Sequence, residues 1–194
     1  TSFVSPRWIP QLADAEEVMA GLERRAGVRY PVLVPNLKGY QRARAAGADE
    51  VAVFTAASEA FSRHNTNCSI AESLTRLDDV IAQARADGVA VRGYVSCVLG
   101  CPYQGEVPVE DVVRVTASLF ELGVHEVSVG DTIGVGTPGQ VAELVGTLAR
   151  HVALDRLAAH PWPGNVRELL KLLERLAILL PDERVGGHEV DALL

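Results

Sequence analysis

Basic residues, cysteines, methionine and long apolar runs are all in short supply in this 194-residue chain. Eighteen Lys and Arg stand against 25 Asp and Glu, a formal charge of -7. That balance offers no basic face, which excludes nucleic acid and an anionic membrane surface as non-specific partners. No apolar run approaches the roughly 20 residues of a bilayer-spanning helix, and no signal peptide opens the chain, so the expected location is cytoplasmic. Three cysteines, Cys68, Cys97 and Cys101, are too few and odd in number for a disulfide framework and fit reduced thiols. The spacing of Cys97 and Cys101 suits neither a CxxC redox pair nor a complete zinc site, so both are expected to be buried or loop thiols. Methionine occurs once, at position 19. Residue 1 is therefore not an initiator, and Thr1-Ser-Phe-Val-Ser5 reads as the end of a strand cut from something longer. What is present, 48% hydrophobic and 22% charged residues, is enough for one substantial core.

The chain repeats one unit. A helical segment ends at a glycine, two or three residues follow, and a β-branched run begins: Gly27 before Tyr30-Pro-Val-Leu-Val34, Gly47 before Glu50-Val-Ala-Val-Phe54, Gly88 before Val89-Ala-Val-Arg-Gly-Tyr-Val95, and Gly123 before Glu126. Glycine just past a helix accepts the left-handed conformation, so each is read as a helix stop feeding a strand. Strands alternating with helices imply βαβ units and a parallel sheet. Ser69-Ile-Ala-Glu72 is a capping box opening a helix that carries Ile70, Leu74, Leu77, Val80 and Ile81. Pro108 suits the first turn of the next helix, and a third is expected from about Gln140 to His151.

The organising stretch is Glu126-Val-Ser-Val-Gly-Asp-Thr-Ile-Gly-Val-Gly-Thr-Pro-Gly139, an apolar strand ending in a carboxylate, a hydroxyl and a glycine-rich turn. Val127 and Val129 fall on one face, Ser128, Gly130 and Thr132 on the other. Asp131 stands at the carboxyl end, where ligands bind in parallel α/β folds, and two uses are open to it: a ligand contact, or the cap of a turn. In the strand before it, Arg92, Tyr94 and Ser96 share a face. A strand arginine must be paired, line a polar cavity or reach a wet edge, and the interior of a barrel is the expected place. The other strand ends carry Ser2 and Ser5, Asn36 and Lys38, Ser58 and Glu59, and Ser96 and Cys97, a set that would converge on one mouth of a (β/α)8 barrel.

Thr1-Ser-Phe-Val-Ser-Pro6, Pro35-Asn-Leu-Lys-Gly39, Asn67-Cys-Ser-Ile70, Arg92-Gly-Tyr-Val-Ser-Cys-Val-Leu-Gly-Cys-Pro-Tyr103 and Val129-Gly-Asp-Thr-Ile-Gly-Val-Gly-Thr-Pro-Gly139 together resemble 3-hydroxy-3-methylglutaryl-CoA lyase, over residues 1 to about 160. The resemblance implies a TIM barrel that cleaves an acyl-CoA substrate to acetyl-CoA and acetoacetate with a divalent cation, Mg²⁺ or Mn²⁺, stabilising the enolate. It places Ser2, Asn36, Tyr94, Ser128, Asp131 and Thr132 in the substrate-facing lining. The family's Arg-Asp strand and a glutamate of its site would precede Thr1. Its metal-binding His-x-His is matched at His160, but Trp162 stands at the second histidine. The catalytic cysteine and a metal asparagine have no counterpart, so catalysis by these residues alone is not expected.

At Pro161 the character of the sequence changes. Asn165 and Glu168 can cap a helix whose apolar stripe includes Val166, Leu169, Leu170, Leu173, Leu176, Ala177 and Leu180. Pro161-Trp-Pro-Gly-Asn-Val-Arg-Glu-Leu169 with Leu173-Glu-Arg-Leu-Ala-Ile178 resembles the helical part of the AAA+ domain in sigma-54-dependent transcription activators, over about 161 to 186, which makes Arg167 similar to a nucleotide sensor. No glycine-rich phosphate loop accompanies it, and a plain amphipathic helix accounts for the same pattern. The sequence thus leads to an α/β chain: an incomplete (β/α)8 barrel of about five to six parallel strands in residues 1–160, with a helical tail, 161–194, as a chimeric appendage. Its function is a carbon–carbon lyase by resemblance, inactive alone, or else a regulatory or interaction module. An open sheet of this kind is expected to self-associate.

Overall fold

The computed structural model describes residues 1–159. It divides into two compact units, Thr1–Gln140 and Val141–Leu194. The first is an α/β layer structure. Four parallel strands, β1 (Val32–Leu33), β2 (Glu50–Ala56), β3 (Ala90–Ser96) and β4 (Glu126–Gly130), lie side by side in the order of the chain. Between and around them run α1 (Ala15–Ala20), α2 (Leu37–Ala45), α3 (Glu59–Thr66), α4 (Ile70–Ala86) and α5 (Val109–Leu122); α6 (Pro138–Ala159) starts at the end of this unit and continues in the second. A short parallel bridge joins Ser2 to Leu33, extending the sheet past β1. Against the expected five to six strands, the described residues hold four, with one isolated bridge beside β1. The boundary expected at residue 160 lies outside them, as do His160, Trp162 and Arg167.

The local chemistry explains the elements. Ser69 Oγ accepts the Glu72 amide at 3.2 Å while the Glu72 carboxylate accepts the Ser69 amide at 2.8 Å, so two otherwise orphaned donors are satisfied reciprocally and α4 starts there. At the far end of α5, Gly123 adopts φ 110 and its amide bonds Leu119 and Phe120, a turn that a side chain would strain. The sheet's register then separates the faces. Val51, Val53, Val91 and Val95 are buried toward the helices, together with Leu77, Val80 and Ile81 of α4 and Val112, Val115 and Leu119 of α5. Arg92, Tyr94 and Ser96 alternate with them on the opposite face and are only half-buried. β4 is half-buried throughout and pairs only with β3 among the described residues.

Gly27 is not a helix stop. α1 closes earlier, at Gly21, and Gly27 sits in a turn at φ 77. The strand expected from Tyr30 to Val34 shortens to two residues, because Pro31 offers no amide to a ladder. Pro108 precedes the first turn of α5 rather than sitting within it, and the helix expected to end near His151 continues to Ala159.

Candidate functional site

Of the expected site residues, Asn36, Asp131 and Thr132 follow the carboxyl ends of β1 and β4, while Tyr94 and Ser128 lie within β3 and β4 and Ser2 bridges Leu33. After β1 the chain turns into α2 through Asn36, whose Oδ1 accepts the Gly39 amide at 3.0 Å. After β2, Ser58 caps α3 in the same way, accepting the Phe61 amide at 3.1 Å. After β4, Asp131 spends its carboxylate on the backbone of the following loop: Oδ1 accepts the amides of Gly134 and Val135 at 3.1 and 3.2 Å, and Oδ2 that of Gly136 at 2.8 Å. Of the two uses open to Asp131, the cap is the one its geometry displays. Thr132 Oγ1 accepts the Cys97 amide at 2.8 Å, tying the end of β4 to the end of β3.

The register brings Tyr94 and Ser128 directly opposite each other on the polar face, and Ser96 opposite Gly130. Ser2 and Asn36 belong to the β1 side of the sheet, at the other edge from Asp131 and Thr132. The lining inferred for these residues is therefore brought together in two groups, one at each side of the four strands. Tyr94 Oη also receives a long hydrogen bond, 3.5 Å, from Arg92.

Arg92 finds the pairing that a strand arginine requires. Its guanidinium donates to Glu126 at 2.7 Å, and the two residues are register partners. Arg29 adds a contact to Glu126 at 3.4 Å and approaches Glu50 at 3.5 Å, while His125 donates through Nδ1 to the Val91 carbonyl at 2.7 Å. Glu50 and Glu126 begin their strands, so this charged cluster lies at the amino end of the sheet, away from the loops just described. Clusters there bear on stability rather than chemistry in barrel enzymes. The hydrogen bond from Arg92, opposed by burial and helped by Arg29, holds the Glu126 carboxyl below its ordinary value. A depressed carboxylate stabilises the fold above its ordinary pKa of about 4.3 and loses that contribution as pH falls through the folded-state value. Because Glu126 is 41% exposed, solvent screening keeps the contribution at about 1 kcal/mol or less. Thermal melts from pH 7 to pH 2 should show Glu126→Gln less stable than the parent at neutral pH and converging with it in acid; parallel curves would mean that the pair contributes nothing.

Two features escaped the sequence reading. Cys101 Sγ receives Ser58 Oγ at 2.9 Å across 43 residues, and Gln104 Oε1 sits 2.7 Å from the same hydroxyl. Tyr103 stacks on His64 with centroids 4.0 Å apart and near-parallel planes, leaving an exposed aromatic rim beside those groups. The conspicuous signal for both was Gly100-Cys-Pro-Tyr103 itself, a turn motif whose partners only the fold supplies.

Comparison with known proteins places this geometry. A hydroxymethylglutaryl-CoA lyase of Bos taurus mitochondria is 55% identical over 189 residues, 96% of this chain and 58% of its own length. The crystal structure of an HMG-CoA lyase from Brucella melitensis superposes with a TM-score of 0.76 at 60% identity, covering 79% of this chain and 54% of that one. A third, from Acinetobacter baumannii, solved in complex with coenzyme A and 3-methylmalate, gives 0.74 at 32% identity, covering 79% of this chain and 50% of that one. The chain thus spans between half and two thirds of the length of these relatives. A model of the AAA+ ATPase lid domain matches residues 140–193, in part the stretch whose sequence resembles an activator tail. The HMGL-like model matches residues 8–162, and with the parallel sheet and the strand-end residues it establishes that the chain belongs to the HMGL-like family.

Proposed function

We propose that the chain is an acyl-CoA carbon–carbon lyase by descent, built to face 3-hydroxy-3-methylglutaryl-CoA, whose 194 residues on their own bind acyl-CoA without turning it over at an enzyme's rate. The observation that carries this reading is the run of polar groups at successive strand ends, Asn36, Ser58, Ser96 and Asp131 with Thr132, on a sheet that superposes on lyases, one of them holding coenzyme A. Ser2, Asn36, Tyr94, Ser128, Asp131 and Thr132 are the proposed lining.

The family's divalent cation does not fit the described residues by themselves. No group of three or more His, Cys, Asp or Glu among them is arranged to hold a metal, and both oxygens of Asp131 already serve backbone amides. In sequence, His160 is followed two positions on by Trp162. A lone imidazole does not hold Mg²⁺, which takes oxygen ligands. Acetoacetate release with Mg²⁺ or Mn²⁺ should therefore run at least about 1000-fold below an ordinary turnover of about 10 s⁻¹. Turnover at that ordinary rate, abolished by chelator and by His160→Ala, would show that the chain carries a complete site. Self-association belongs to the same reading, because β4 offers an edge with no strand beside it among the described residues.

The lid-domain match to residues 140–193 favours a second reading, in which the carboxyl-terminal stretch is a regulatory or interaction module of the kind found in sigma-54-dependent activators. Arg167 is then a nucleotide-sensor remnant. With no phosphate loop in the sequence, ATP titration should give no saturable binding and no rise in melting temperature. Micromolar binding that disappears in Arg167→Ala would instead make the stretch a working nucleotide sensor.

A further inference from the structure

Two of the three thiols meet in the loop that leaves β3. Cys97 is the first residue after the strand, fully buried, held at φ 61 with its amide on Thr132. Cys101, 3% exposed, closes a tight turn by exchanging two backbone hydrogen bonds with Gly105, at 2.8 and 3.0 Å. Between them in that turn, Pro102, Tyr103 and Gln104 are exposed, so the sulfur lies one layer beneath solvent. Donors converge on it: Ser58 Oγ at 2.9 Å, its one proton shared between this sulfur and Gln104 Oε1 at 2.7 Å, and the Tyr103 amide at 3.4 Å, with the Cys97 thiol near enough to interact electrostatically. Burial works against the Cys101 thiolate, but these donors prevail and bring its pKa below the ordinary value, whereas burial pushes Cys97 up to about 11. Of the two sulfurs, Cys101 is thus the one that gives up its proton more readily. Cys68 differs, with only Thr66 Oγ1 at 3.2 Å.

From this arrangement we infer that Cys97 and Cys101 form a peroxide-responsive dithiol, in which Cys101 is the attacking sulfur, Cys97 the resolving one, and Ser58 the group that positions the first. The Cys101 thiolate attacks one oxygen of hydrogen peroxide, the O–O bond breaks, and hydroxide leaves to take up a proton as water, giving a sulfenic acid. The Cys97 sulfur then attacks that sulfur, the S–O bond breaks, and the departing hydroxide takes the Cys97 proton. Two thiols and one peroxide become one disulfide and two waters. Closing the bond brings the sulfurs to about 2.05 Å and reorients Cys97, whose amide anchors Thr132. Oxidation is thereby coupled to the loop after β4. Neither sulfur belongs to the proposed substrate lining, so the inference stands apart from the lyase reading.

The test uses the whole 194-residue chain and hydrogen peroxide, with free thiols then alkylated under denaturing conditions and the peptides weighed. The expected product is one alkylated thiol, at Cys68, and a 97–101 peptide lighter by two hydrogens, restored by dithiothreitol. Ser58→Ala should slow its formation about tenfold, and the reaction should be slower in urea, where the turn is not pre-formed. In Cys97→Ser, a dimedone adduct should accumulate at Cys101, and in Cys101→Ser, Cys97 should stay reduced. Oxidation of Cys68 first, a disulfide involving Cys68, an equal rate in urea, or a pair still reduced after Cys68 has reacted would each overturn the inference.

Discussion

Leu119→Ala should cost about 2–5 kcal/mol, the range for a fully buried leucine whose cavity does not collapse. Leu119 has no exposed surface and sits on the helix-facing side of the sheet. It is matched by an absence: Gly93 in β3 leaves just enough room, since a Cβ built there would come within 3.0 Å of Leu119 Cδ1 and 3.5 Å of Val127 Cγ2. The leucine side chain therefore fills a notch left by one glycine and locks α5 against β3 and β4 together. Set against a total stability of about 5–15 kcal/mol, its loss should leave the domain close to unfolding at 37 °C. Denaturant melts of Leu119→Ala, Gly93→Ala and the double variant check the argument. Gly93→Ala alone should destabilise by forcing Leu119 aside, whereas in the Leu119→Ala background the new methyl has space and should restore part of the loss, a coupling above about 0.5 kcal/mol. Strict additivity would mean that the two positions do not share a cavity.

The repeat of helix, stop and strand was readable because each unit is local. A capping box spans four residues, and Gly47, Gly88 and Gly123 each lie within two residues of the helix they end, at φ 80, 67 and 110. The one failure, Gly27, arose where α1 stops six residues earlier and irregular backbone intervenes. The two faces of β3 were legible from the two-residue period, and so was the need for a partner to Arg92. Which partner it has was not legible: Glu126 is 34 residues away, and Arg29, which joins it, is 97 residues from Glu126. The same limit applied at the mouth. Sequence placed Asp131 at a strand end but gave no sign of the direction its carboxylate takes, because that depends on how the loop through Gly134, with φ 67, folds back toward it. The thiol chemistry was hidden for a related reason, since the hydroxyl that faces Cys101 comes from the end of a different strand.

Asp131→Ala should loosen the loop after β4 and weaken acyl-CoA binding together. The carboxylate accepts three successive backbone amides, those of Gly134, Val135 and Gly136, and charged acceptors make the stronger hydrogen bonds. Water can replace it at Gly134 and Val135, which are exposed, so the net loss is about 2 kcal/mol rather than the sum of three full bonds. Gly136 is held more tightly. A Cβ there would overlap Leu99, so this amide reaches Asp131 Oδ2 only because the backbone passes close to that side chain. Asp131→Asn keeps one carbonyl oxygen and should recover about half of the stability. The two variants also separate the remaining roles of the residue. If Asp131 acts through the loop, melting temperature and coenzyme A affinity should fall in step, with Asn intermediate in both. If it is instead a direct ligand contact, Asn should still melt midway between the parent and Ala yet bind as poorly as Ala. Thermal melts and coenzyme A titration of the same three proteins decide between them, and the geometry of the three amides favours the first.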